Sequence, residues 1–588
     1  MRGWLGDDGL GGDSPAIASD EGLWYSRDHL RSSNAATVSC LRHRGVGRHD
    51  RIALVMAPGP DMAASLLGAM QAAAVAPLSP SSPIDVFHDD LRRLRISHIV
   101  VDDQPPAALL LSAEQLGLPL IHALRLQEAS NEADHHDPPQ ATDLALLLQT
   151  SGTTATPKVV PLTHANLRAS ALCVAEVLDL GQDDRSLAAM PLFHIHGIVA
   201  SLLAPLLSGG SVICPRSNDA ASLLTLIEEL EPSWMSAVPT LLQALLAALD
   251  RGQRVPDHRL RLLRSSSSPL PPPVLKRLEE VFAVPVIEAY GMTEAAHQIC
   301  SNHLPGSGPG GLPGSVGMPA GPEVAVIGSA FQVLPAGERG QVAIRGPGVT
   351  AGYEGSDQSG WVESASGQRW FLTGDEGIFD REGHLTLIGR LKEMINRGGE
   401  KVIPRRVDEA LLQHTAVQQA LAFALPHPTL GEDLAAAVVL RPGAVADEQS
   451  LRRHAFGLLA PHEVPSRIVL LPDLPRGATG KLQRIGLADK LGALLQPADE
   501  PASGELEELV AQTFAAVLQQ PEPGRHANFF QLGGDSLSGQ RAVIVLEQQL
   551  ALELSPTLLF AYPCVRSLAE QLDQLLDQAL AEAEEVPS

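Results

Sequence analysis

The chain has 588 residues, more than one ordinary core holds, so two or three folded units are expected. A hydrophobic fraction of 44% suits a globular protein, and no stretch supplies the ~20 uninterrupted apolar residues that a bilayer demands. A formal charge of −25 excludes a phosphate-binding basic surface, and with it nucleic acid as a partner.

The first residues, MRGWLGDDGLGG, have neither the basic start nor the apolar run of a secretory leader. The five cysteines, Cys40, Cys173, Cys214, Cys300 and Cys564, are scattered without CxxC spacing and read as reduced core residues. Together these features point to a cytoplasmic protein with no membrane partner. From about Ala16 to Gly389, short apolar runs (RIALVMA, ISHIVVD, TDLALLLQTS, GSVICP, PVIEAYG) alternate with longer Ala- and Leu-rich helical stretches. That is the rhythm of an α/β protein with mostly buried strands. The most apolar segment, MAASLLGAMQAAAVAPL from Met62, lies between Asp61 and Pro80 and reads as a buried helix and strand. PGSGPGGLPGSVG, from Pro305, punctuates the chain before the strand-like GQVAIRG and HLTLIGR.

After Gly389 a smaller α/β unit is expected, with the helix RRVDEALLQH and strands around LAFAL and LAAAVVL. LLQPADEPAS (494–503) carries Pro, Ala, Ser and acidic residues without periodicity and reads as a linker. Beyond it, ELEELVAQTFAAVLQQ, SGQRAVIVLEQQLAL and SLAEQLDQLLDQAL have helical spacing and predict a small bundle. From Pro501 onward, thirteen acidic residues face three arginines, a net charge of −10, which marks a separate unit. The domain reading is therefore 1–389, 390–493, a linker at 494–503, a helical unit at 504–580 and a tail at 581–588.

QTSGTTATPKVVP (149–161) leaves an apolar run and offers consecutive hydroxyls, backbone N–H groups and Lys158, the makings of an anion nest. It lacks the GxxxxGK[ST] of a Walker loop, and on composition alone a plain Ser/Thr-rich turn reads equally well. The segment resembles the signature TSGTTGxPKGV of the adenylate-forming superfamily, which holds acyl-CoA synthetases, luciferases and nonribosomal peptide synthetase adenylation domains. PLFHIHG (191–197), EAYGMTE (288–294), GQVAIRGPGVTAGY (340–353), FLTGDEG (371–377), GRLKEMINRGGEKVIP (389–404) and LPRGATGKLQR (474–484) match further family motifs in order. The likeness spans roughly residues 16–492. It departs at Ala155 and Val159, where the family has glycine. If position 155 needs positive φ, alanine costs about 1 kcal/mol and weakens the grip of the loop.

The resemblance implies an α/β N-terminal adenylation core and a mobile, smaller α+β C-terminal subdomain. It implies activation of a carboxylate by ATP and Mg²⁺ as acyl-AMP, with release of pyrophosphate. Thr150, Ser151, Gly152, Thr153, Thr154 and Lys158 would hold the phosphates. Tyr290, Gly291 and Thr293 would lie along the adenine and its phosphate. Asp375 and Arg390 would bind the ribose, Glu294 the Mg²⁺, and Lys481 would serve as the adenylation lysine. The C-terminal subdomain would turn about Lys392 and bring the face around 397–400 to the site for thioester formation.

FFQLGGDSLSGQ (529–540) allows three readings of Ser536. A GDSL hydrolase needs a downstream His as base, but the last His is His526, so that reading fails. A helix cap remains open. The third is a carrier, whose GG[DH]S pattern places the serine at a helix start to receive 4′-phosphopantetheine. With the acidic helical unit around it, this implies an all-α, four-helix-type carrier domain loaded in cis. It also implies a phosphopantetheinyl transferase and a downstream biosynthetic enzyme as partners in trans, as in nonribosomal peptide and other secondary-metabolite assembly.

For the acid itself, amino-acid-activating relatives carry Asp at the place of His194, so an acid without an α-amino group is expected. His194, Ser266 and Ser267 of RSSSSPLP, and His297 are the candidate substrate pocket. HIH could also bind metal, but no third ligand is evident. INRGGEKVIPRRVDEALLQH and EAYGMTEAAHQICSN are similar to oxalyl-CoA synthetases, which implies a small or polar acid; a fatty or aryl acid stays open. Two further readings are a ligase using free CoA and a catalytically silent carrier scaffold.

Overall fold

The computed structural model describes residues 12–125, 137–150, 157–307, 311–355, 360–427, 430–475, 482, 484–495, 500–530, 532–534, 536–555 and 557–584. The chain divides into two units, Met1–Leu387 and Ile388–Ser588.

In the first unit the alternation of apolar runs with helices builds two largely parallel sheets, as the strand–helix–strand rhythm dictates. One has nine strands. Its central members include Trp234–Ala237, Leu262–Ser265 and Val286–Met292, which pair in parallel and are almost wholly buried. The other has six, with Leu144–Thr150 turning back antiparallel into Lys158–Thr163 at its edge. The Ala-rich segment from Met62 is a buried helix (Pro60–Ala72) followed by the buried strand Ala74–Pro77. A third, five-stranded sheet is antiparallel; it carries Arg369–Phe379, on which Leu385–Arg390 pairs. The boundary between the units falls within that last strand.

The second unit begins with a five-stranded sheet around the long hairpin Val417–His427 and Gly431–Leu440, flanked by the helices Pro404–Leu412 and Glu448–Phe456. The helix Leu487–Leu495 follows, and after it come four more among the described residues: Glu505–Leu518, Ser536–Leu550, Leu558–Ala561 and Val565–Glu584. Their core is apolar, built on Val510, Phe514, Phe529, Leu546 and Leu568. All five cysteines are free, with Cys214 and Cys300 buried. Among the described residues no helix is long and apolar enough to cross a membrane.

Candidate active site

Ligands of open α/β sheets gather beyond the carboxyl ends of the parallel strands. Three such ends lie side by side here, and the hairpin Val286–Met292 to His297–Ser301 carries Tyr290, Glu294 and His297 within eight residues. The hairpin is tight: a Cβ on Gly291 would stand 1.7 Å from the His297 carbonyl oxygen, so only glycine fits. Ala296 and His297 both have positive φ, 48° and 96°, a conformation that side chains rarely adopt. Such strain is held only where the surroundings enforce it, and it clusters at functional sites.

On one side of the hairpin lies a chain of polar contacts. The Tyr290 hydroxyl donates to Asp375, which is buried, and the Asp375 N–H donates to Thr373 Oγ1 at 3.1 Å. The Tyr353 hydroxyl donates to Glu294 Oε1 at 2.7 Å, and Lys158 Nζ sits 4.2 Å from the centroid of the Tyr353 ring. Lys158 and Thr150 are register partners, placed at the mouth of the loop between their strands. Thr293 opens a short 3-10 turn, Thr293–Ala295, that presents Glu294. Ser151, Gly152, Thr153, Thr154 and Ala155 lie outside the described residues. Tyr353 lies within a quoted motif but was not among the expected site residues.

On the other side is a second cluster. Ser236 and Arg264 are register partners on neighbouring parallel strands, so their side chains share a face. Arg264 Nη1 donates to Ser236 Oγ at 3.0 Å and to His297 Nε2 at 3.1 Å; Nη2 donates to Gln298 Oε1 at 2.7 Å. A guanidinium has no acceptor, so His297 Nε2 accepts. His196 places Nε2 2.7 Å from Ser236 Oγ and Nδ1 3.1 Å from Ser267 Oγ, and its ring stacks on His297 at 4.7 Å. His196 begins a π-helical stretch, His196–Leu203, a wide turn found mostly at functional sites. Arg264 is 0% exposed, and among the described residues no carboxylate pairs with it. Burial alone pulls its pKa down to about 9, so it stays charged at neutral pH.

The expected pocket residues divide accordingly. Ser267 and His297 join this cluster, while Ser266 is buried beside them with no partner for its Oγ among the described residues. His194 is half-buried, with its ring edge-on to Phe193 at 4.6 Å; the imidazole that reaches the serines is that of His196. His196, Ser236 and Arg264 were missed.

In the second unit Arg390 is exposed at the end of its strand, and Lys392 is exposed in the turn where the Glu393 N–H donates to Arg390 O at 3.0 Å. Lys481 lies outside the described residues. Three positions on, Arg484 pairs with Asp408 and with Glu393 at 3.2 Å, and donates to the Ala422 carbonyl at 2.7 Å. Ser536 is the first residue of the helix Ser536–Leu550. Gly533, with φ 97°, and Gly534 lead into it, and a Cβ on Gly534 would stand 2.3 Å from the Phe529 ring. A serine at a helix start behind a glycine turn fits the attachment of a phosphorylated group, because the first helical N–H groups favour an anion.

Two largely parallel sheets, a smaller sheet-and-helix part and a carrier-like bundle define an adenylate-forming ligase with an attached carrier. The chain belongs to the AMP-binding enzyme family: residues 10–354 match the family "AMP-binding enzyme", 406–481 its C-terminal domain and 508–572 the phosphopantetheine attachment site. It is 40% identical to an oxalate–CoA ligase of Arabidopsis thaliana, over 67% of this chain and 74% of that one. It is 31% identical to the acyl-CoA synthetase ALT10 of Alternaria alternata, over 81% of this chain and 95% of that one. Its fold matches ATP-bound MatB from Rhodopseudomonas palustris with a TM-score of 0.74 at 25% identity, covering 82% of this chain and 97% of that one.

Proposed function

We propose that this ligase activates a small or polar carboxylic acid lacking an α-amino group and passes the acyl group to its own carrier at Ser536, for use by a partner enzyme. A carboxylate oxygen attacks the α-phosphorus of ATP, the bond to pyrophosphate breaks, and acyl-AMP forms. Phosphopantetheine, when attached to Ser536, would supply the thiol that takes the acyl group, with AMP as the leaving group.

On this reading Lys158, with Thr150 and residues 151–154, grips the phosphates, and Tyr290 lies along the adenine. Asp375 and Arg390 hold the ribose, and Glu294 binds Mg²⁺. No group of three or more His, Cys, Asp or Glu side chains that could hold a metal ion occurs among the described residues. The ion would therefore take its remaining ligands from phosphate and water, as Mg²⁺ commonly does. Lys481 bridges the carboxylate and phosphate charges, and Lys392 is the pivot.

The observation that carries the choice of acid is the buried Arg264 cluster. A guanidinium with no carboxylate partner among the described residues, bonded to Ser236, His297 and Gln298 and linked through Ser236 to His196 and Ser267, makes this cluster cationic and rich in donors. It favours a compact acid with a second polar or anionic group over an aliphatic chain, and His194 in place of Asp offers an ammonium nothing. The test is ATP–pyrophosphate exchange with oxalate, malonate, sulfoacetate, benzoate, octanoate and glycine. Fastest exchange with one of the first three is expected; fastest exchange with octanoate or glycine would sink the reading.

A second reading, a ligase that uses free CoA, is favoured by the relatives' names as CoA ligases. Ser536→Ala separates the two. It abolishes acyl loading of the chain under the first and leaves CoA-thioester turnover unchanged under the second.

A further inference from the structure

Within the second unit, buried polar contacts join the four helices to the sheet-and-helix part that precedes them. His427 Nε2 donates to the Phe530 carbonyl at 2.5 Å, while its Nδ1 accepts from the Leu430 N–H at 3.1 Å. Arg452 donates to the Phe560 carbonyl at 3.0 Å and to the Ser466 carbonyl at 3.2 Å. Asn528 Nδ2 donates to that same Ser466 carbonyl at 2.7 Å. The Arg397 guanidinium lies 5.7 Å from the centroid of the Phe530 ring, which stacks on Phe560 at 5.0 Å. His427, Arg452, Ser466, Asn528 and Phe530 are all buried.

These donors and carbonyls match one to one across the seam. A buried donor left without its acceptor costs about 1–3 kcal/mol, and parting the two sides would strip that partner from His427 Nε2 and Asn528 Nδ2 and leave Arg452 with the Ser466 carbonyl alone. The seam also reaches the attachment turn. Asn528 Oδ1 accepts from the Phe530 N–H at 3.0 Å, the Phe529 N–H donates to Pro563 O at 2.8 Å, and Gly534 is pressed against the Phe529 ring. Residues 528–530, which precede the turn before Ser536, are thus pinned to the C-terminal subdomain through Phe530 and Asn528.

We propose that the carrier rides on the C-terminal subdomain as one body through the seam of His427, Arg452, Ser466, Asn528 and Phe530. Ser536 is then delivered by movement of the pair, not by a carrier swinging alone on residues 494–503. The delivery step rests on the reading of Ser536 as the acyl acceptor site; the seam itself does not.

Two measurements on the full chain test it. In hydrogen exchange, segments 464–468, 528–530 and 558–562 are protected in the wild type. His427→Ala and Asn528→Ala, one from each side, raise exchange in all three segments by about tenfold while the Phe514 and Leu546 helices stay protected. Exchange of these segments at free-peptide rates in the wild type, or no change in either variant, overturns the seam. In acyl loading of Ser536, with the acid that gives the fastest pyrophosphate exchange, both variants load about tenfold more slowly while exchange itself is unchanged. Loading at the wild-type rate or faster shows a carrier that swings alone and overturns the proposal. A wild type that exchanges pyrophosphate yet accepts no acyl group fails the reading of Ser536 instead, and hydrogen exchange then decides on the seam.

Discussion

Two buried arginines, one in each unit, sit in opposite electrostatic company. Arg397 is held by Asp433 at 2.7 Å and donates to the carbonyls of His462 and Val464 at 2.9 and 3.0 Å. Arg264 is buried more completely and contacts Ser236, Gln298 and an imidazole nitrogen, with no carboxylate partner among the described residues. A paired, fully bonded guanidinium is part of the framework. Arg452 shows that carbonyls alone also hold a buried guanidinium within the framework. Arg264 differs from both in contacting a hydroxyl, a side-chain amide and an imidazole, and on the proposed reading its anion comes with the ligand.

The sharpest way to break this contrast is to make Arg397 resemble Arg264. Asp433→Asn leaves the guanidinium with carbonyls alone and is expected to destabilise the second unit by about 3 kcal/mol in chemical denaturation. A loss below about 1 kcal/mol would mean that buried charge is tolerated generally in this protein, and Arg264 would lose its distinction.

The reverse experiment is Arg264→Met. Removing an uncompensated buried charge changes stability by less than about 1 kcal/mol, or improves it. Pyrophosphate exchange falls about 100-fold, because the site loses its fixed positive field. The loss appears mainly for oxalate or malonate and less for benzoate. Destabilisation equal to that of Asp433→Asn, with exchange intact, would return Arg264 to the framework.

The two clusters also differ in how far the sequence reveals them. Lys158, Tyr290, Glu294 and Asp375 each sit inside a quoted motif, and the structure links Tyr290 to Asp375 and, through Tyr353, Lys158 to Glu294; their roles toward a nucleotide remain part of the proposal. The Arg264 cluster was not legible in this way. Ser236 and Arg264 come together because two strands pair in register, and nothing in the local sequence announces that pairing. A signal was nevertheless present: in RLLRSSSS an arginine follows two leucines on a wholly buried strand, where a charge is rarely found unpaired. HIH was read through His194, but the turn of the π-helical stretch gives the serines to His196. The rhythm of strands and helices was plain because buried parallel strands are continuous apolar runs. The seam between the carrier and the C-terminal subdomain was invisible, since it is built mostly on backbone carbonyls that any residue supplies.

A third cation, Lys158, tests the middle of the scale, for among the described residues its charge is met by a ring and not by a carboxylate. Tyr353 has two tasks there, offering its face to Lys158 and its hydroxyl to Glu294. Tyr353→Phe keeps the first and removes the second. A hydrogen bond to a charged group contributes about 1.5–3 kcal/mol, so exchange should fall about tenfold through a changed Mg²⁺ dependence, with the KM for the acid unaltered. Tyr353→Leu removes the ring as well and should add a further loss of about threefold, visible in the KM for ATP because the phosphate-side ammonium is no longer held. Equal effects of the two substitutions would place the whole contribution in the hydroxyl and leave Lys158 positioned by its strand alone.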